Sequence, residues 1–354
     1  MKLDTVRGLS DAQGPFATLY LEGRAASEDA ANELRLRWDA QRSSLADDGA
    51  GEETLAAIDD ALSTPDATEV QTDGRVIVAH PGGVLLDEAW DARAGTGDDS
   101  AFGDIPELSA YVRERARAVR VLLAVVDQTG AVVRRLVATE DRNLDESGHD
   151  VVDASSDEPV RKPRQGALSH NQIQRRADVA VKQNARGVAD HLEATARAWR
   201  PDVLVLAGET QGRAAVRGEL GTELAATVQE TDEGGLTEAS GDNAGEALDR
   251  AVGTIASDVA AGHALAQTER FEEARARGRT AEGVHAVLQA AGMGAVETLL
   301  LNYDVPTTGE SEIVVSCAQV DADAALIDAE VTDGIAAVLR FEAPEELGSS
   351  ELNG

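Results

Sequence analysis

Aromatic residues are scarce in this chain. They make up 3% of its 354 residues, although hydrophobic residues together reach 42%. Any core must therefore be built mainly from Ala, Val and Leu, packed as small interlocking side chains. Cysteine occurs once, at Cys317, which excludes an intramolecular disulfide and a multi-thiolate metal site. There is no 18-residue apolar run, so no helical membrane span is expected. The first 14 residues, MKLDTVRGLSDAQG, lack the apolar core of a signal peptide. The chain reads as cytoplasmic. No Walker A loop, no GxGxxG after a strand, no HExxH and no nucleophile elbow is found. The six histidines (80, 149, 170, 191, 263 and 285) are scattered without ligand spacing. His149 with Asp150 reads as a solvated surface pair, and His191 as a surface or cap contact. No metal or cofactor is expected.

Acid is what the chain has in excess. Asp and Glu number 65 against 32 Lys and Arg, a net charge of −33. Lysine appears only at Lys2, Lys162 and Lys182, so nearly all the basic residues are Arg. GC-rich coding or a salt-rich cytoplasm would each produce this bias, and either makes the acidity a matter of solvation. One stretch reverses it. Residues 161–186 hold seven basic residues (Arg161, Lys162, Arg164, Arg175, Arg176, Lys182 and Arg186) and one acid, Asp178. Just upstream, residues 140–158 hold eight acids and only Arg142. A face paired with its own acids is the plain reading of such a run. A polyanion met at one concentrated site is the functional one.

The pattern of elements predicts three mixed α/β units, at 1–112, 113–240 and 241–354. In the first, 16–21 alternates as a strand, 30–45 and 53–62 have helical spacing, and 75–80 with 83–86 form a hairpin around Pro81-Gly82. Residues 94–103 read as a polar, Gly-rich loop. In the second, 119–126 is an apolar strand that turns at 127–130 into an antiparallel partner over 131–137. An acidic linker at 140–158 follows, then the basic loop and a long helix over 174–199, stopped by Pro201. Strand 202–207 comes next, and 230–245 reads as a linker. In the third unit, 247–277 is a long helix and 281–291 a shorter one. Strands are expected at 296–301, 312–317 and 335–340, with a helix at 323–330, giving a small α/β/α sandwich. The tail from 343 reads as disordered.

The basic stretch has an arrangement as well as a charge. A loop with Pro163 and Gly166 runs into a cationic helix start at Gln174, Arg175 and Arg176. Arg offers paired contacts to phosphate and stacks on bases, which suits insertion into folded RNA. The string Gly166-Ala167-Leu168-Ser169-His170-Asn171-Gln172-Ile173-Gln174-Arg175 resembles the central-domain loop of archaeo-eukaryotic release factors and Pelota-like proteins. In that family the loop reads Gly-Gly-Gln-Ser before a basic helix. Residues 278–284 (GRTAEGV) and 295–301 (AVETLLL) look like its C-terminal sandwich, of the kink-turn-binding ribosomal-protein type. Residues 161–208 are similar to the family's bacterial, Balon-like branch of actinobacterial hibernation factors.

The resemblance implies a ribosome-binding translation factor that occupies the A site. Its central loop would reach the 23S rRNA near the peptidyl-transferase centre. Its N-terminal unit would approach the 16S rRNA decoding centre, and elongation factor Tu is an implied partner. The ribosome-binding residues implied are Arg161, Lys162, Arg164, Gln165, Gly166, Ser169, His170, Asn171, Gln172, Arg175, Arg176, Lys182 and Arg186. This chain departs from the family at the loop tip, where Ala167 stands for the second Gly and Leu168 for the Gln that positions the hydrolytic water. Leu offers no hydrogen bond to a water. The reading is therefore a non-hydrolytic factor acting in ribosome hibernation or stress protection. The alternative is a peptidyl-tRNA hydrolase in ribosome rescue that uses Gln165 or Gln172 instead.

Overall fold

The structure is a computed structural model, described at residues 1–10, 12–21, 30–63, 74–90, 98–127, 130–138, 143–153, 170–234, 242–303 and 306–342. The fold is mixed α/β with three sheets. The chain divides into two compact units, Met1–Arg117 together with Ala261–Gly354, and Ala118–Ala260. The expected disordered tail lies outside the described residues.

The N-terminal stretch contains α1 (Asp4–Ser10), β1 (Phe16–Leu21), α2 (Ala30–Asp47), α3 (Glu52–Ser63), β2 (Gly74–His80), β3 (Gly83–Trp90), β4 (Asp99–Gly103) and α4 (Ser109–Arg117). Its strands pair antiparallel in the order β3-β2-β1-β4. Strand β1 is buried throughout because both faces of the sheet are covered. Ala17, Leu19, Leu21 and Ile77 pack against Trp38, Leu45, Leu55 and Ile58 of the two long helices. Phe16, Tyr20, Val76 and Val78 face the other way, into a different core. The hairpin forms at Pro81-Gly82, and Gly83 supplies a φ of +125° that a side chain would resist. The loop expected at 94–103 is corrected by β4, which pairs from Phe16↔Gly103 to Tyr20↔Asp99. Asp, Ser, Ala and Gly give that strand little β propensity. It exists because β1 presents a free edge and Phe102 reaches the helix-side core.

The second unit begins with β5 (Val119–Val126), β6 (Gly130–Ala138) and β7 (Asn143–Asp153). Then come α5 (His170–Trp199), β8 (Val203–Gly208), α6 (Thr210–Glu219), α7 (Thr222–Ala225), β9 (Val228–Glu230) and α8 (Asp242–Arg275), which belongs to this unit as far as Ala260. The sheet order is β7-β6-β5-β8-β9. The β7-β6-β5 pairs are antiparallel, and β5-β8-β9 are parallel. One face of β5 (Val119, Val121, Leu123) packs with Val252 and Ala256 of α8. The other (Leu122, Ala124, Val126) packs with Val188 and Leu192 of α5 and Val216 of α6. The acidic linker expected at 140–158 is corrected, because 143–153 is a full-length partner of β6. Backbone ladders are blind to side-chain charge, and Val152 supplies an inward apolar contact.

The last stretch adds β10 (Thr280–Glu282), α9 (Val284–Gly292), β11 (Val296–Asn302), α10 (Glu310–Ala318), β12 (Asp323–Ile327) and β13 (Ile335–Leu339). Its sheet order is β10-β13-β11-β12. The helix expected at 281–291 is split by Gly283, whose φ is +84°. Two further expectations are exchanged. The strand expected at 312–317 is α10, and the helix expected at 323–330 is β12. The β-branched run of α10 buries Ile313, Val314, Cys317 and Ala318, one face of a helical turn repeated. Ala324 and Leu326 alternate inward on β12, which lies parallel to β11. Joining parallel neighbours requires a crossover, so the segment between them becomes the helix.

Candidate functional site

The site expected from sequence centres on the N-terminal end of α5. Residues Arg161, Lys162, Arg164, Gln165, Gly166 and Ser169, with Leu168, lie outside the described residues. His170, Asn171, Gln172, Arg175 and Arg176 are positions in the first two turns of α5. The helix starts at His170, where a loop was expected, and not at Gln174. Nothing in His-Asn-Gln-Ile breaks a helix. Lys182 and Arg186 are exposed on the same helix. Spacings of seven and four place positions 175, 182 and 186 on one stripe by helical period.

That stripe is held by packing on another side of the helix. Ala185, Val188 and Leu192 are buried against the sheet, with Ala196 and Trp199 half-buried beside them. The far end is pinned as well. Arg200, with a φ of +54°, ends the helix. The Arg120 guanidinium lies 5.2 Å from the centre of the Trp199 ring and donates to the Arg200 carbonyl at 2.6 Å. With 30 residues, α5 spans about 45 Å. One end is built into the sheet layer, and the other carries the basic positions.

Two glycines let the neighbouring elements close up. Gly208 ends β8 with a φ of +91°, and a Cβ there would collide with the Val126 carbonyl oxygen. A Cβ on Gly212 would lie 2.8 Å from the Asp127 carbonyl oxygen. Beside them, Arg213 is buried and donates to the Thr231 carbonyl at 2.5 Å. Sequence reasoning missed this support. The only signal for it was the Gly-Glu-Thr-Gln-Gly spacing after an apolar strand.

The electrostatics are those of a solvated face. Lys182 Nζ lies 3.7 Å from Glu219 Oε1, with the lysine side chain 76% exposed, a pair worth under about 1 kcal/mol. For Arg186 no ion pair is seen among the described residues. His191 Nε2 lies 3.5 Å from Asp150 Oδ2, so His191 meets β7 and the His149–Asp150 step is tied to the fold through Asp150. A cleft of about 720 Å³ opens at the other end of α5, beside Arg197, Thr222 and Leu224. Its charges serve the fold: Glu193 accepts from Gly221 N–H at 2.7 Å and lies 3.5 Å from Arg197.

Residues 120–277 match the family described as bacterial archaeo-eukaryotic release factor family 2. The uncharacterized protein Rv2629 of Mycobacterium tuberculosis H37Rv is 26% identical over 397 residues, an alignment covering 99% of each chain. Among solved structures, ribosome-bound archaeal Pelota with ABCE1 is 15% identical, covers 97% of this chain and 95% of its own, and gives a TM-score of 0.41. Pelota of Archaeoglobus fulgidus is 14% identical, with coverage of 97% and 93% and a TM-score of 0.35.

Proposed function

We propose that this chain, whose residues 120–277 match bacterial archaeo-eukaryotic release factor family 2, is a ribosome-binding translation factor that occupies the A site without cleaving peptidyl-tRNA. The observation that carries the reading is the charge of the stretch 161–186. It is the one strongly basic stretch of an acidic chain, and Leu168 stands where the family's water-positioning Gln belongs. Cationic residues in and just before a helix start suit rRNA phosphates. An apolar tip can fill the space near the peptidyl-transferase centre but cannot orient a nucleophile. The outcome is occupancy of idle ribosomes, as in hibernation or stress protection, in the cytoplasm. Contact of the N-terminal stretch with the 16S decoding centre and of the protein with elongation factor Tu belong to the same proposal.

The test is co-sedimentation with ribosomes at low and moderate salt, paired with a release assay on stalled peptidyl-tRNA complexes. Wild type should pellet and release nothing. An Arg164→Ala/Arg175→Ala/Arg176→Ala variant that pellets as well as wild type would sink the binding reading. Release that is lost on Gln165→Ala or Gln172→Ala would replace occupancy with a rescue hydrolase.

A further inference from the structure

The two ends of the chain share one core. Leu3, Val6, Leu108 and Val112 from the N-terminal stretch lie in the same buried cluster as Ile313, Val314, Cys317 and Leu326 from the C-terminal one. Arg113 on α4 and Glu310 on α10 form a two-pronged pair inside this cluster's boundary. Nε meets Oε1 at 2.7 Å and Nη2 meets Oε2 at 2.7 Å. The side chains are 4% and 1% exposed. The remaining polar capacity is also used: Arg113 Nη1 donates to the Asn302 carbonyl at 2.6 Å, and Glu310 Oε2 accepts from Thr307 N–H at 3.0 Å. One residue along, Ser311 Oγ accepts from the N–H groups of Leu108 at 2.8 Å and Ser109 at 3.0 Å, and donates to the Glu107 carboxylate.

A pair this dry cannot be separated cheaply. Pulling α4 from α10 strips each ion of its partner before water can replace it, and it opens the apolar cluster at the same time. We propose that Met1–Arg117 and Ala261–Gly354 are one cooperative folding unit, locked at Arg113–Glu310 and Glu107–Ser311, and that Ala118–Ala260 is an insert with its own cores. Opening either end of the chain then opens the other. The lock stands whether or not the protein binds ribosomes. In a ribosome-bound factor it would make the two ends respond as one piece.

The test uses the full chain and its single thiol. Cys317 is buried in α10, so its labelling by methyl methanethiosulfonate reports opening of the C-terminal end. Ile58 is buried in the α2/α3 layer, in a cluster drawn only from the N-terminal stretch. Under conditions where reclosing outruns labelling, Ile58→Ala should speed Cys317 labelling roughly 30-fold or more. The milder Ile58→Val should speed it by about 2- to 10-fold and covers the case in which the alanine variant does not fold. Leu192→Ala, in the insert, should leave the rate unchanged. A wild-type Cys317 rate in both Ile58 variants, with faster hydrogen exchange of the β1 and α2 amides showing the N-terminal stretch weakened, overturns the lock. A rate raised as far by Leu192→Ala overturns the insert.

Discussion

Gly208 shows how much one residue can decide. Its φ of +91° and the Val126 carbonyl oxygen in the path of a Cβ leave room for hydrogen alone. Gly208→Ala is expected to destabilise the 118–260 unit by about 3 kcal/mol, read as a shift in its urea midpoint. Arg113 makes the complementary case. Arg113→Met leaves the Glu310 carboxylate buried without its partner and should cost about 3–5 kcal/mol. Arg113→Met/Glu310→Leu should recover most of that loss, because the double variant buries no charge. A double variant as unstable as the single one would mean that shape, not charge, sets the cost. Neither role was legible in sequence. Arg113 lies in an Arg-rich run, Arg-Glu-Arg-Ala-Arg, and its partner comes from 197 residues later.

At the scale of the element, α5 was largely legible, because Val181, Val188, Leu192 and Ala196 repeat at helical spacing. Lys182 and Arg186 are exposed on the same helix, apart from that packing face. Lys182→Ala/Arg186→Ala should therefore leave thermal stability within about 0.5 kcal/mol of wild type while weakening ribosome co-sedimentation. A loss of stability matching the loss of binding would mean that these residues hold the fold. The misread elements share one cause. β4 and β7 have poor strand composition but lie beside strands with unpaired edges. α10 and β12 have the wrong propensities for their states, and the parallel β11/β12 pairing decides both. Local preference is a fraction of a kcal/mol per residue, whereas a ladder and a buried face act over the whole element.

For the whole molecule, charge and burial pull in different directions with pH. Burial pushes the Cys317 thiol up to about 12 from an ordinary 9.0. Burial also raises the Tyr20 and Tyr111 hydroxyls. All three are neutral in the fold and would ionise sooner when unfolded. Their contribution is complete below about pH 9 and is lost as pH rises toward the folded values. Urea midpoints of the unit Met1–Arg117 with Ala261–Gly354 should fall above pH 9, and Cys317→Ala should flatten the part between pH 9 and 10. The stretches 1–112, 113–240 and 241–354 are proposed as modules of the sequence, of which the first and last fold together; limited proteolysis that frees residues near 113–240 as a stable fragment checks that the middle one folds alone.

By itself the sequence determined the class of the fold, most of its strands and long helices, and the one place where an acidic chain concentrates positive charge. These follow from local periodicity and composition, which neighbouring residues carry. Only the tertiary structure decided that β4 and β7 are strands, that α10 and β12 exchange their expected states, and that Arg113 is a buried ion facing Glu310. Those outcomes depend on partners far along the chain, and the energy of a sheet edge or a dry ion pair exists only once the distant partner is in place.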